Sequence, residues 1–543
     1  MQTAYARLIT GGGSTRGRRE EQTVGIWTSK QPLVMAAAFV LAVAAAGCVS
    51  EDEGTTEPTR DAAFLGYSNP ETKQTTCGNC HVDVQAEWAQ TKHAGAWATL
   101  QASGHAQAMC NKCHTVSGLT NGQADSAGFF AVSGDAQRFY QDVQCESCHG
   151  PGAAHVSAPG ETQPLPTMLV PADYSDGCTA CHNSSHHPFA EQLASSRHGQ
   201  MPYWEHNSCQ VQCHNGFGAM GVYAPAGRYT YKDGAQSLPN YATAPAQGLL
   251  CSTCHQPHNA EDNPAQLRMA GVNTTDSAQH VCGKCHNRGA VATASSWRSS
   301  RGAHSAQFAT LMGYSGSTAG MGNIQGAARH GTMEGSCARC HVPSTTVTDA
   351  AGAFAVQDVG HTFKVVPCRN TSVGTGGVDT TDACTEEQRD FSACATSDCH
   401  GSQESARLAM DRTQGEIRAY TYLLWTDLDH DDTIDAFPVD SGWLPRILAH
   451  DATRTAGSKR LATSGADTVY TVAKSARFNV LTFGHPIGHA DGSWGVHNPG
   501  YVRAVMANTV SQVRATYAVS DTLVGVPPAV QALLARDLGA QRR

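Results

Sequence analysis

CESCHGPGAAH, residues 145–155, is the stretch of sequence that decides the fold. Its two cysteines are separated by two residues, His149 follows the second cysteine directly, and His155 lies six residues further on. Two thiols at this spacing add across the two vinyl groups of one porphyrin, and the adjacent imidazole then binds the iron. The stretch therefore predicts a covalently attached haem with His149 as an axial ligand.

The same arrangement recurs along the chain, and we number the nine sites 1 to 9 in chain order. Seven have the strict C-x-x-C-H spacing, whereas sites 5 and 9 place three and four residues between their cysteines. Together the sites use eighteen of the 21 cysteines, which excludes a chance recurrence. The expected thioether cysteines and axial histidines are, from site 1 to site 9, Cys77, Cys80 and His81; Cys110, Cys113 and His114; Cys145, Cys148 and His149; Cys178, Cys181 and His182; Cys209, Cys213 and His214; Cys251, Cys254 and His255; Cys282, Cys285 and His286; Cys337, Cys340 and His341; and Cys394, Cys399 and His400.

Zinc knuckles, thioredoxin-type redox pairs and disulfide frameworks are the alternatives for closely paired cysteines. None of them requires a histidine after every second cysteine, whereas haem attachment does. Three cysteines lie outside the sites. Cys368 and Cys384 flank a polar loop, so a disulfide between them and two free thiols both stay open, and Cys48 lies near the amino terminus.

Seventeen of the 26 histidines lie outside the nine motifs, which exceeds the number of irons. A second imidazole keeps a haem iron low-spin and lowers its potential relative to methionine ligation, although methionine stays open for one iron. His155 and His258 lie close behind motif histidines, and His497 precedes an expected helix cap. The expected distal ligands are His93, His105, His155, His198, His258, His304, His330, His361 and His497, with His280 as the nearest reserve; His186, His187, His206, His485 and His489 are ranked below it, and His430 and His450 last.

The amino-terminal segment predicts export. Residues 33–47, LVMAAAFVLAVAAAG, form an apolar run that is short for a bilayer span and typical of a signal-peptide core. Because the run ends at Cys48 in a lipobox-like sequence, we expect 1–47 to be a lipoprotein signal peptide, with a lipid on that thiol and 48–69 as a flexible tether. An ordinary secretory signal is the alternative. The expected location is the outer membrane, facing the periplasm or the cell surface.

The composition predicts a fold built around haem. The motifs span Cys77 to His400, about 36 residues for each haem, and long apolar segments are scarce there. We expect a mainly α fold with long loops and little β structure, in which stacked haems form the core of residues 70–401. The net charge of −9, with no basic run, excludes a nucleic-acid-binding protein.

No motif follows site 9, and we expect 402–543 to form a helical cap that supplies the distal ligand His497. Apolar spacing predicts a helix over 403–426. A second helix should begin where Asn498, a good N-cap, precedes a proline. A short amphipathic segment over 527–540 is expected to follow.

Residues 427–435, DLDHDDTID, place aspartates at positions that suit Ca²⁺ coordination in a loop. The usual glycine at position 6 and the acidic residue at position 12 are missing. A calcium site and an acidic surface turn both stay open.

Several of these motifs resemble those of bacterial multihaem c-type cytochromes related to the tetrahaem-cytochrome and hydroxylamine-oxidoreductase superfamily. The resemblance covers about residues 70–510 and implies stacked haem pairs with two-histidine irons close enough for electron hopping. It supports His93, His155, His258, His361 and His497 as distal ligands. The similar stretches are WAQTKHAGAW (88–97), CESCHGPGAAH (145–155), CSTCHQPH (251–258), CARCHVP (337–343), GHTF (360–363) and GVHNPGY (495–501).

Two departures from this superfamily argue against a substrate-reducing site. The chain has no C-x-x-C-K motif, and no tyrosine is identified that would crosslink a catalytic haem. We therefore expect an electron carrier with nine haems and no catalytic residue, serving redox partner proteins or an extracellular electron acceptor. A multihaem oxidoreductase acting on a small nitrogen or sulfur compound, and a subunit of a cytochrome filament, are the alternatives.

Overall fold

The computed structural model describes residues 59–166, 173–184, 186–201, 213–216, 219, 248–258, 264–269, 275–298, 302–324, 329–348, 351–369, 378–379, 385, 388–431, 433–450, 460–461, 467–484, 491–519 and 531. The expected signal peptide, the expected lipid-attachment residue Cys48, most of the expected tether, Cys209, Cys384 and nearly all of the segment 527–540 lie outside the described residues. Pro58–Arg543 groups as one unit. No helix among the described residues has the length and apolarity needed to cross a bilayer.

Short helices joined by long loops make up most of the described chain, and strands occur in three two-stranded antiparallel ladders, β1–β2, β3–β4 and β5–β6. The expectation of a mainly α fold with little β structure is therefore confirmed. The strands are β1 (Tyr67–Asn69), β2 (Gln74–Thr75), β3 (Thr345–Thr348), β4 (Phe354–Asp358), β5 (Cys368–Arg369) and β6 (Val378–Asp379). The α-helices are α1 (Val82–Trp88), α2 (Ala96–Ala102), α3 (Asn111–His114), α4 (Cys145–His149), α5 (Ala153–Ser157), α6 (Gly177–Cys181), α7 (Phe189–Ser195), α8 (Cys251–Cys254), α9 (Gln307–Met312), α10 (Arg329–Thr332), α11 (Ser336–His341), α12 (Gln403–Leu424), α13 (Trp443–Ala449), α14 (Val472–Phe483) and α15 (Pro499–Tyr517).

Seven of the nine haem motifs lie on, or begin with, a single helical turn. Helices α3, α4, α6, α8 and α11 carry sites 2, 3, 4, 6 and 8, and the 3-10 turns Cys77–Asn79 and Ser392–Cys394 begin sites 1 and 9. Residues three and four apart share one face of a helix. One turn therefore directs both thiols and the following imidazole of a strict motif to the same side.

A small apolar core holds the amino-terminal sites. Tyr67 and Trp88 belong to one buried cluster there. The buried Asp142 carboxylate accepts hydrogen bonds from the Tyr67 hydroxyl at 2.8 Å and from the backbone N–H of Trp97 at 2.9 Å. It also pairs with the Lys73 ammonium at 2.8 Å. These contacts tie β1 and the segments beside sites 1 and 2 into one body.

Glu146, between the two cysteines of site 3, is a buried carboxylate with a structural role. It accepts hydrogen bonds from the backbone N–H groups of Leu65, Gly66 and Gly152 at 2.7–2.9 Å. Burial raises its pKa, and these N–H donors oppose that rise. The carboxylate thereby fixes the turn that carries site 3 to the segment before β1.

The long helices lie in the carboxyl-terminal part, as expected. In α12 the Ser402 hydroxyl caps the helix by accepting from the backbone N–H of Ser405 at 3.1 Å. In α15 the Asn498 side chain accepts from the backbone N–H of Tyr501 at 3.2 Å, and a proline follows Asn498. The helix predictions for 403–426 and from Asn498 onward are confirmed, with α12 ending two residues earlier.

Helix α14 was not predicted because it is buried on all sides and its polar residues break the apolar pattern. These buried polar groups are paired, except for the Nε atom of Arg477. Lys474 Nζ contacts Asp467 Oδ2 at 2.7 Å, and the Asn479 amide exchanges two hydrogen bonds with the backbone of Ser317. The Tyr501 hydroxyl also donates to Ser315 O. Through these bonds α14 and α15 pack on the segment that follows site 7.

Candidate haem sites

Residues from all nine motifs line one continuous cavity of about 3820 Å³. An ordinary small-molecule pocket occupies roughly 300–1,000 Å³, so this cavity is several times larger. Within the motifs the backbone forms tight turns, as in the hydrogen bonds from His81 N to Cys77 O at 2.9 Å and from His182 N to Cys178 O at 3.0 Å. Paired sulfurs, adjacent imidazoles and a large shared cavity are the arrangement that covalently bound haems require.

Eight of the nine motif histidines face a second imidazole at a nearly constant separation. Two metal–nitrogen bonds of about 2 Å, plus about 1.1 Å from each ring centre to its Nε2, give about 6.2 Å between the centres of two imidazoles that share one metal ion. The described pairs lie at 6.0–6.3 Å, so one iron fits between the rings of each pair. They are His81–His155 (site 1), His149–His258 (3), His182–His93 (4), His214–His304 (5), His255–His361 (6), His286–His198 (7), His341–His497 (8) and His400–His330 (9).

At site 2 the structure differs from the sequence-based expectation. His105 is exposed, and no motif imidazole is described against it. His114 instead has His187 as an electrostatic neighbour, and the His187 ring lies 6.4 Å from that of His182. The structure therefore does not bring His105 against a motif imidazole among the described residues, and its expected role as a distal ligand stays a prediction.

Hydrogen bonds hold the imidazoles with Nε2 directed into the cavity. An Nδ1 atom that donates to an oxygen fixes the tautomer and leaves the Nε2 lone pair for a metal. His114, His149 and His255 donate to backbone carbonyls at 2.8–2.9 Å. The further Nδ1 contacts are His155 with Thr162 O, His286 with Gln307 Oε1, His330 with Val496 O, His341 with Phe363 O, His361 with Val359 O and His497 with Asp491 Oδ1.

Burial keeps several of these imidazoles neutral, as metal binding requires. Removal from water disfavours the charged ring and lowers the pKa of His198 to about 3 and of His182, His258 and His361 to about 4. His497 behaves differently. Burial alone would lower its pKa, but the charge and hydrogen bond of the Asp491 carboxylate raise it.

His280, the nearest reserve ligand in the sequence, has another role. It is fully buried, and its Nδ1 accepts the backbone N–H groups of Cys282 and Gly283, both at 3.1 Å. The ring proton is therefore on Nε2, which faces Cys337 Sγ at 3.9 Å. Without a free lone pair on either nitrogen, His280 caps the turn of site 7 and does not fit an iron ligand.

Contacts between cysteines of different sites give the order of the sites in space. Six described pairs have sulfur atoms close enough to interact as thiols, and four more pairs interact electrostatically. The six pairs are Cys77–Cys145 (sites 1 and 3), Cys113–Cys181 (2 and 4), Cys178–Cys251 (4 and 6), Cys213–Cys285 (5 and 7), Cys282–Cys337 (7 and 8) and Cys340–Cys394 (8 and 9); the four are Cys148–Cys178 and Cys148–Cys181 (3 and 4), Cys254–Cys282 (6 and 7) and Cys340–Cys399 (8 and 9).

The histidines repeat that order. For each neighbouring pair of sites along the sequence 1–3–4–6–7–8–9, an imidazole of one site is an electrostatic neighbour of an imidazole of the next. The sites therefore form one line, with site 2 beside site 4 and site 5 beside site 7. These neighbours are His149 and His81, His258 and His93, His182 and His255, His198 and His361, His198 and His341, and His330 and His497.

The acidic loop brings its carboxylates together. Oxygens of Asp427, Asp429 and Asp440 lie within 4.8 Å of one another. Asp440 is buried and already accepts hydrogen bonds from Trp425 Nε1 at 2.7 Å and from the backbone N–H of Leu428 at 2.9 Å. The calcium ion stays a prediction, which thermal unfolding in chelator and in added Ca²⁺ would test.

Cys368 is fully buried and disulfide-bonded, and its partner lies outside the described residues. The other described cysteines, which all belong to the nine motifs, are free. The disulfide therefore does not compete with haem attachment at any described motif cysteine.

The segments that match known family models contain sites 1 to 3 and sites 6 to 8. Residues 76–150 and 281–371 match the family model for cytochrome c554 and c-prime, and residues 244–291 match the model for the doubled CXXCH motif. A solved structure described as the outer cell wall cytochrome OcwA is similar over 76% of this chain and 78% of that chain, with 18% identity and a TM-score of 0.40. No curated protein sequence matches. The matched segments are similar to multihaem c-type cytochrome families, and their C-x-x-C-H motifs imply covalently attached haem c, as predicted.

Proposed function

We propose that this chain, with its cytochrome c554-type and doubled CXXCH haem domains, carries electrons along a line of nine covalently bound, two-histidine haems. Haem iron supplies the electron-carrying chemistry by alternating between its ferric and ferrous states. The observation that carries the proposal is the set of eight imidazole pairs at 6.0–6.3 Å. Two imidazoles on one iron favour a low-spin electron carrier over a substrate-binding centre.

The order of the sites supports conduction from end to end. Sites 1 and 9 stand at opposite ends of the line of contacts. Sites 2 and 5 each contact a single described site through their cysteines, at Cys113 and Cys213. We assign sites 1, 3, 4, 6, 7, 8 and 9 to the conducting line and treat sites 2 and 5 as side branches.

Ligation within one chain favours a self-contained carrier over a filament subunit. Every imidazole in the eight pairs belongs to this chain. Some partners are far apart in sequence, such as His341 and His497. Site 2, which has no described imidazole pair, is the site at which a filament would place a ligand from the neighbouring protomer, and the assignment of His187 to it argues against that arrangement.

Site 2 is where the alternative of a substrate-converting enzyme should be tested. We assign His187 as its distal ligand, because His187 is the electrostatic neighbour of His114 and no motif imidazole is described against His105. With His187 bound, site 2 has no open position for a substrate. CO binding to the reduced protein at about one molecule per chain would instead favour an open iron at site 2.

The location and partners follow from the amino-terminal sequence. We propose that the chain is exported and anchored in the outer membrane by a lipid on Cys48. There it would exchange electrons with redox partner proteins or an extracellular acceptor. Mass spectrometry of the mature protein tests both parts, because it reports the lipid on Cys48 and the number of haems. A mature amino terminus elsewhere, without lipid, contradicts the anchor and leaves the haem assignment intact.

Removing single sites tests the conducting line. Cys178→Ala with Cys181→Ala removes attachment at site 4, which lies in the line, and Cys110→Ala with Cys113→Ala removes a branch. Both variants should retain eight haems by pyridine haemochrome assay. Conductance of single molecules held between electrodes should fall to a small fraction in the first variant and stay close to wild type in the second. Equal effects in the two variants would contradict the proposed order.

A further inference from the structure

Asp491 is a negatively charged carboxylate that contacts His497, an expected iron ligand. It lies between α14 and α15, is buried, and its Oδ1 accepts from His497 Nδ1 at 2.7 Å. Its position is fixed by its own backbone N–H, which donates to Thr482 O at 2.9 Å, and by hydrogen bonds from the Ser493 backbone and hydroxyl to Oδ2. The carboxylate is therefore held in place independently of His497.

The Nδ1 atoms of the other expected ligands, where their contacts are described, donate to neutral acceptors. Of nine expected ligands whose Nδ1 partner is described, eight meet a carbonyl oxygen of the backbone or of the Gln307 amide. At site 8 itself, His341 on the opposite side of the iron position meets Phe363 O at 3.0 Å. Site 8 thus combines one imidazole hydrogen-bonded to a carbonyl with one imidazole hydrogen-bonded to a carboxylate.

A carboxylate acts more strongly on an imidazole than a carbonyl does. It attracts the Nδ1 proton, which raises the basicity of Nε2 and its donation to a bound metal. In a buried site this charge-assisted hydrogen bond is little screened by water. Stronger donation and nearby negative charge both favour the ferric over the ferrous state.

We propose that Asp491 is a positioning residue that lowers the reduction potential of site 8 through His497. The inference rests on the proposed function, since it requires His497 to be an iron ligand. Site 8 lies between sites 7 and 9 in the conducting line. A lowered reduction potential at site 8 places a difference in reduction potential between site 9 and the rest of the line.

The test is Asp491→Asn in the full holoprotein, followed by spectroelectrochemical titration. The asparagine Oδ1 still accepts from Nδ1, so the geometry is kept and only the charge is lost. One of the nine one-electron steps should move upward by about 59 mV or more, a tenfold change in the ratio of reduced to oxidised haem. Glu404→Gln, which removes an exposed carboxylate that pairs with Arg407 on α12, should move every step by much less. The low-spin EPR signal of one haem should change in Asp491→Asn alone.

Two further variants separate the possible failures. His497→Ala should turn one haem high-spin, and if all haems stay low-spin, both the ligation and the tuning are wrong. If His497→Ala turns one haem high-spin but Asp491→Asn shifts no reduction potential, only the proposed effect of Asp491 on site 8 is overturned. Should Asp491→Asn not fold, Gln307→Glu places a carboxylate on His286 Nδ1, which now contacts the amide at 3.4 Å. It should move one step downward, and an unchanged titration would overturn the proposal.

Discussion

Replacing His280 by alanine should destabilise the protein and leave every iron's ligation unchanged. The ring is fully buried, lies 5.1 Å from the Phe308 ring, and accepts two backbone N–H groups at the turn of site 7. Leaving a buried N–H group unsatisfied costs about 1–3 kcal/mol, and loss of a helix cap costs about 1–2 kcal/mol. Because neighbouring effects are not additive, we expect a total loss of about 2–4 kcal/mol.

Thermal unfolding followed by circular dichroism measures this loss, and EPR of the oxidised protein monitors the irons. His280→Asn keeps a short acceptor at the turn and should lose clearly less stability. His105→Ala, on an exposed side chain, should stay within about 0.5 kcal/mol of wild type. The reasoning is refuted if His280→Ala unfolds like the wild type, or if about one haem in nine becomes high-spin.

Two other predictions concern ligation and stability. His187→Ala should turn about one haem in nine high-spin and allow CO to bind the reduced protein, whereas His105→Ala should do neither; the opposite result would restore the sequence-based choice. Asp467→Ala strands the buried Lys474 ammonium and should cost about 3–5 kcal/mol, while Glu404→Ala at an exposed pair should cost under about 1 kcal/mol. The hydrogen bond from Lys474 lowers the pKa of Asp467 to about 2. The stabilisation from this ion pair is therefore complete above pH about 4 and is lost as the pH falls through 2. The difference in free energy of unfolding between wild type and Asp467→Ala should shrink over that window. A difference that does not depend on pH contradicts the ion pair.

The haem sites could be predicted from the sequence because their chemistry is local. Two thiols and an imidazole within five to seven residues specify one haem, whatever the rest of the chain does. Helices α12 and α15 were also predictable, since caps at Ser402 and Asn498 precede regular apolar spacing. Eight of the nine distal histidines chosen from the sequence lie against a motif imidazole.

The pairing of ligands could not be predicted, because it depends on tertiary contacts. His93 follows site 1 in sequence yet faces His182 of site 4. His187 follows His182 by five residues, much as His155 follows His149, but it neighbours His114 of another site. A local pattern of this kind predicts that a histidine serves as a second ligand, but it does not predict which haem iron that histidine binds.

Asp491 and α14 were missed for a related reason. Asp491 belongs to no motif, and its role depends on His497 and on a loop fixed by Thr482. Helix α14 is polar in sequence but buried, because Lys474 and Asn479 find partners that are distant or irregularly placed in the chain. Burial of polar groups follows from pairing in three dimensions, which spacing alone does not encode.

Anomalous diffraction at the iron edge from crystals of the mature holoprotein tests the central claim most directly, because it locates every iron without assuming a ligand. The account predicts nine iron peaks per chain, eight of them midway between the imidazoles of the eight pairs and the ninth between His114 and His187. Successive peaks should follow the order of sites 1, 3, 4, 6, 7, 8 and 9, with sites 2 and 5 to the side. Fewer peaks, or irons held by the motif histidine alone, would contradict it.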